Sequence, residues 1–121
     1  MAKILICDDA VFMRMTIREA LESAGYEIVA EAEGPDEAAR LYKEKKPDLV
    51  TMDMLMKKSG ISGIKDIRNF DPKAKIVVVS VLTEQEGEVV DAIRAGALGI
   101  VAKPINRQVL INEVKRVLDI K

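Results

Sequence analysis

The chain of 121 residues contains no histidine, no tryptophan and a single cysteine, Cys7. Without imidazole there is no Ser-His-Asp triad and no metal centre that needs a histidine ligand. One thiol closes no internal disulfide and, with no histidine beside it, builds no zinc site of the multi-Cys or Cys/His kind. A surplus of one charge is missing too: 19 Lys and Arg face 20 Asp and Glu, a formal net charge of −1. That balance provides no bulk attraction to nucleic acid or to an anionic membrane, and neither is expected as a partner. No apolar run nears the roughly 18–20 residues of a membrane span. The opening run Lys3–Cys7 meets acidic residues at once and does not read as a signal peptide, so a cytoplasmic location is expected. Glycine-rich phosphate loops are absent: neither GxGxxG nor GxxxxGK(S/T) occurs. Gly60-Ile61-Ser62-Gly63 matches an RNA-clamping GxxG loop, but the pattern around it is wrong for that module.

What is present is a core and an alternation. Hydrophobic residues make up 49% of the chain, enough for one compact domain. Short apolar runs without in/out alternation, the mark of strands buried on both faces, fall at Ile4–Cys7, Ile28–Ala30, Leu49–Met52, Ile76–Val79 and Gly99–Ala102. Between them lie stripes at helical spacing. These are Met13, Ile17, Ala20, Leu21 and Ala24; then Ala38, Ala39, Leu41 and Tyr42; then Ile61, Ile64 and Ile67. Val89, Val90 and Ile93 form a fourth stripe, and Leu110, Val114 and Leu118 a fifth. Turn signals mark each change of period, at Gly25, Gly34-Pro35, Pro47, Asp71-Pro72, Gly96 and Lys103-Pro104. Pro35 suits a helix start, and Pro47 closes the second helix. Five strands each followed by a helix predict an α/β fold with a parallel five-stranded sheet covered on both faces.

In open α/β sheets, ligands bind beyond the carboxyl ends of the strands. The polar residues that end the runs are Asp8 and Asp9, Asp53, Ser80 and Lys103. Singly, each has a plain structural reading. Asp8 or Asp9 can serve as an N-cap of the first helix, Ser80 as a turn residue, and Lys103 as a solvated loop lysine. Asp53 resists this, because a carboxylate among Met52, Met54 and Leu55 is costly unless paired or metal-bound. Three clustered carboxylates call for a cation, and Mg²⁺ suits an oxygen-only site that shares a phosphate oxygen. One acid would then act as nucleophile toward a phosphoryl donor and two would hold metal. Lys103 and Ser80 would contact the phosphoryl group.

In this order, Asp8-Asp9, Asp53, Ser80 and Lys103-Pro104 resemble the response-regulator receiver domain, over essentially the whole chain. The stretches Asp8–Met15 and Pro47–Asp53 are similar to its stand-alone, CheY-type branch. The resemblance implies a flavodoxin-like doubly wound sheet of order 2-1-3-4-5 over residues 1–121, with no output domain. It implies phosphorylation of Asp53 by a sensor histidine kinase, and Mg²⁺ held by Asp8, Asp9, Asp53 and the backbone carbonyl of Leu55. It makes Ser80 the hydroxyl switch and Lys103 the phosphate-binding lysine, with a cis Lys103–Pro104 bond. The implied protein is a monomer and no enzyme beyond self-catalysed turnover of the Asp53 phosphate. Its output surface would be the fourth helix, fifth strand and fifth helix, read by a downstream effector such as a flagellar motor in chemotaxis.

Three positions depart from the family pattern. Lys57 stands where a proline is usual, Val81 where a small residue follows the switch, and Ile100 where an aromatic switch residue is usual. Ile100 therefore implies a steric, loop-based switch, and Val81 with Leu82 implies slow loss of phosphate. Val11, Phe12 and Met15 are surplus to the stripe of the first helix and suit a helical partner carrying the donor histidine. Phe12 can also pack inward. Met52, Met54 and Met56 read as core filler and Cys7 as inert packing. Two other functions fit less well. One is a phosphorylation-independent pseudo-receiver that binds partners constitutively. The other is a flavodoxin-type electron carrier, which needs a hydroxyl-rich loop and stacking aromatics where this chain has Asp8-Asp9.

Overall fold

A computed structural model describes residues 1–81 and 86–121. The elements alternate without exception: β1 Lys3–Cys7, α1 Val11–Ser23, β2 Glu27–Ala32, α2 Pro35–Lys45, β3 Leu49–Asp53, α3 Gly60–Phe70, β4 Ile76–Val81, α4 Glu86–Ala95, β5 Gly99–Lys103 and α5 Arg107–Leu118. The strands pair in parallel in the order β2-β1-β3-β4-β5. This is the flavodoxin-like doubly wound sheet that the resemblance implies.

Strand alternation divides the core in two. Ile4, Ile6, Leu49, Val77, Val79 and Val101 pack against Ile17, Ala20 and Leu21 of α1 and Leu110, Val114 and Val117 of α5. Leu5, Cys7, Val50, Met52, Ile76 and Val78 face the other way, onto α2, α3 and Ala92 of α4. Each fully buried Val, Leu or Ile contributes about 1.5–3 kcal/mol relative to exposure. Pro35 opens α2, and α2 stops at Lys46, which takes a left-handed conformation (φ 47°). Among the described residues no helix is long and apolar enough to cross a membrane.

Two helical stripes differ from expectation. Ala24 lies beyond the end of α1 and is exposed, because Gly25 (φ +93°) turns the chain there. Among the described side chains of α4 the buried residue is Ala92, while Val90 and Ile93 are 44% and 53% exposed. A short alanine seats that helix, leaving the larger side chains to solvent. The edge strand β5 is braced from α5. Glu113 Oε2 accepts a hydrogen bond from the Ile100 backbone N–H at 2.9 Å, and Arg116 Nη2 donates to the Leu98 carbonyl at 2.8 Å.

Candidate functional site

Side chains in a strand alternate between faces, so Asp53 continues the face of Leu49 and Thr51, and Lys103 that of Val101. Asp8 stands in the same relation to Ile4 and Ile6. Periodicity alone therefore delivers three charged groups to the α1/α5 side of one sheet edge. Lys103 Nζ donates to Asp53 Oδ1 at 3.1 Å and lies 3.4 Å from Asp8 Oδ2. Asp8, Asp9 and Asp53 each bring an oxygen to within 4.8 Å of the others. Asp8 and Asp53 are buried, whereas Asp9 is exposed.

Burial is the main influence on Asp53 and raises its pKa. The Lys103 hydrogen bond opposes this, and the charge of Asp8 adds to it. For Lys103 burial disfavours the charge, but the bond to Asp53 and the fields of both acids outweigh it, and its pKa is raised. Three carboxylates converge on one ammonium, so the oxygen-only donor set is short of positive charge. It fits a hard divalent ion such as Mg²⁺.

The backbone shapes the pocket. Asp8 is no N-cap: α1 is capped by Ala10, and Asp8 Oδ1 instead accepts from the Ala10 N–H at 2.9 Å. Asp53 Oδ1 also accepts from the Leu55 N–H at 3.2 Å. The chain then returns so tightly that a Cβ on Gly60 would collide with the Asp53 carbonyl oxygen. Ser80 has the alternation of Ile76 and Val78; its hydroxyl donates to the Val81 carbonyl at 3.5 Å, and no hydrogen bond joins it to Asp53. Ile100 is half-buried on β5, where it pairs with Val78 of β4. Beside Asp9 a groove of about 430 Å³ runs between Glu33–Glu37 and Met56–Lys58. Lys58 reaches across it to Asp36 at 2.6 Å, and Lys57 is exposed on its wall.

Around the mouth, Val11, Phe12 and Met15 are 61%, 77% and 52% exposed, so Phe12 does not pack inward. Met52 and Met54 are core, and Met56 packs on it. Burial, ahead of the charges of Asp53 and Asp8, pushes the Cys7 thiol up to about 12, consistent with inert packing. Leu82 lies outside the described residues. Arg14 was not anticipated. It is buried on α1 and donates to the Asp8 carbonyl at 2.7 Å. Its spacing to Ile17 and Leu21 placed it on the inward stripe, but a charge there reads as an interruption.

The family model of the response regulator receiver domain matches residues 4–115. The chain belongs to the response-regulator receiver family. This receiver is 43% identical to the chemotaxis protein CheY of Thermotoga maritima, over 95% of this chain and 96% of that one. It is 44% identical to protein CcdB of Bacillus subtilis, over 98% of each. Among solved structures, a chain of the CheX-CheY-BeF3-Mg complex from Borrelia burgdorferi superposes with a TM-score of 0.91 at 31% identity, covering 99% of this chain and 90% of that one. The response regulator domain of Thermotoga maritima CheB gives 0.86 at 30% identity, covering 99% and 98%. The receiver is thus of the CheY type, a component of two-component signalling.

Proposed function

We propose that this receiver is switched by phosphorylation of Asp53, with a phosphohistidine of a sensor histidine kinase as donor. The observation that carries the reading is Lys103 Nζ, lodged between the buried carboxylates of Asp53 and Asp8 with Asp9 at the mouth. Lys103 and the Leu55 N–H both engage Oδ1 of Asp53, leaving its second oxygen without a donor among the described residues. That oxygen attacks phosphorus while the phosphorus–nitrogen bond to the histidine breaks, and the imidazole leaves with the bonding electrons. Lys103 then shifts its ammonium from carboxylate to phosphoryl oxygen. Asp8, Asp9, Asp53 and the Leu55 carbonyl would hold Mg²⁺, which supplies positive charge against the anionic phosphoryl group.

Ser80, whose hydroxyl has among the described residues a long bond of 3.5 Å to exchange, turns toward the phosphoryl group and carries β4 with it. Ile100 has no hydroxyl to follow, so the change passes by packing to α4, β5 and α5. Val90, Ile93 and Val109 expose apolar surface there for an effector of the chemotaxis kind. Val11, Phe12 and Met15 receive the donor helix beside the mouth. The chain's own chemistry is limited to self-catalysed phosphorylation and dephosphorylation of Asp53. Incubation with acetyl phosphate and Mg²⁺ should add one phosphate by mass to the wild type and none to Asp53→Asn. An unmodified wild type refutes the assignment and leaves a constitutive binding module, and equal labelling of the variant refutes Asp53 as the acceptor.

A further inference from the structure

Arg14 is the charged residue among the four that α1 buries, the others being Ile17, Ala20 and Leu21. A methionine or leucine would pack at such a position without bringing a charge out of water, which costs several kcal/mol unless the group is fully paired. Here every arm of the guanidinium is used. Nη1 donates to the Asp8 backbone carbonyl at 2.7 Å, Nε to Glu31 Oε1 at 3.1 Å, and Nη2 lies 3.5 Å from Glu33 Oε1. Glu31 is fixed in turn by Arg18, whose Nη2 is 2.7 Å from Oε2. The carbonyl that Arg14 grips belongs to the peptide unit joining Asp8 to Asp9. Those are two of the three carboxylates whose oxygens crowd within 4.8 Å and repel one another.

We infer that Arg14 is a positioning residue for the divalent-cation site, clamping the Asp8–Asp9 turn to β2 and to the loop that leads into α2 so that both carboxylates stay aimed at Asp53. The inference rests on the proposed Mg²⁺ site. It also predicts a sign that simple charge effects oppose. Arg14 is a cation near the site, so by Coulomb's law alone its removal tightens Mg²⁺ binding. Loss of a clamp weakens it, by about tenfold or more for groups that orient metal ligands.

Mg²⁺ titration of the full chain, followed by the backbone amide resonances of Asp8, Asp9 and Ala10, reads the dissociation constant directly, and urea unfolding reads stability separately. Arg14→Met should raise the dissociation constant by about tenfold or more. Arg14→Lys, which keeps the charge but loses the planar fork, should fall between it and wild type. A merely structural arginine would lower the urea midpoint and leave Mg²⁺ affinity of the folded chain unchanged. Unchanged or tighter binding by Arg14→Met overturns the inference alone. A wild type that binds no Mg²⁺ overturns the metal reading and the inference with it. Should Arg14→Met not fold, Arg14→Lys decides: weaker binding than wild type supports the clamp, and equal binding refutes it.

Discussion

Replacing Lys103 by methionine keeps the aliphatic stem and deletes the ammonium that separates Asp8 from Asp53. The Lys103 side chain is 17% exposed, and the two acids 1% and 3%, so water screens the remaining repulsion poorly. Removing one partner of a buried ion pair costs about 3–5 kcal/mol. Asp53 can escape that cost by taking up a proton. An ordinary aspartate, at 3.8, needs about 1.36 kcal/mol for each of roughly three pH units to be protonated at pH 7, and Asp53, whose pKa is already raised, needs less, so the loss does not exceed about 4 kcal/mol. Lys103→Met should therefore lose about 3–4 kcal/mol at pH 7 in EDTA. The loss should shrink as pH falls toward 4 and Asp53 becomes neutral. Mg²⁺ at a hundredfold the variant's own dissociation constant adds about 2.7 kcal/mol, and that point is reached at a lower Mg²⁺ concentration than in the wild type, since no ammonium competes for the site. Urea unfolding by far-UV circular dichroism measures each arm. A loss under about 1 kcal/mol in EDTA at pH 7, or one indifferent to both pH and Mg²⁺, would refute the electrostatic reading of the pocket.

Thr51 is fully buried below Asp53, and its hydroxyl has no hydrogen-bond partner among the described residues. Thr51→Val should thus raise stability by about 1 kcal/mol in urea unfolding, and a decrease would mean that the hydroxyl is satisfied. Glu113, held by Arg116 and by the Ile100 N–H, has a lowered pKa. Its contribution is present above the ordinary glutamate value of 4.5 and lost as pH falls through the lowered folded value. Glu113→Gln should cost about 1 kcal/mol at pH 7 and progressively less below pH 4.5, and a pH-independent cost would contradict the pairing. Phosphorylated Asp53 should lose phosphate several-fold faster in Val81→Ser, measured as phosphate release after donor removal. An unchanged rate would show that Val81 does not hinder the attacking water.

The five strands were legible because runs such as Ile76–Val79 show no alternation, as burial on both faces requires. The polar residues ending β3, β4 and β5 proved to be the last strand residues or their neighbours, so the sheet itself aims Asp53 and Lys103. β2 is longer than its apolar run, since Glu31 belongs to the strand and is paid for by Arg14 and Arg18. A half-buried ion pair leaves no hydrophobic trace in a sequence. The same blindness hid Arg14. On α4, Val90 and Ile93 have the spacing of a core stripe, yet Ala92 is the residue that is buried while they face outward. The strand order came with the family resemblance, because helical crossovers of similar length do not specify which neighbour each strand joins.

The grip of Glu113 and Arg116 on the backbone of Leu98 and Ile100 bears on how other molecules meet this flank of the sheet. An exposed border strand ordinarily invites a foreign polypeptide to extend the ladder, the route taken by aggregation and by many peptide-binding domains. Here two of the main-chain groups such a guest would need are already spoken for by the last helix. Recognition along this border must work through the shape and polarity of its side chains, which a shift in packing can alter, whereas a row of amides would look the same in either state.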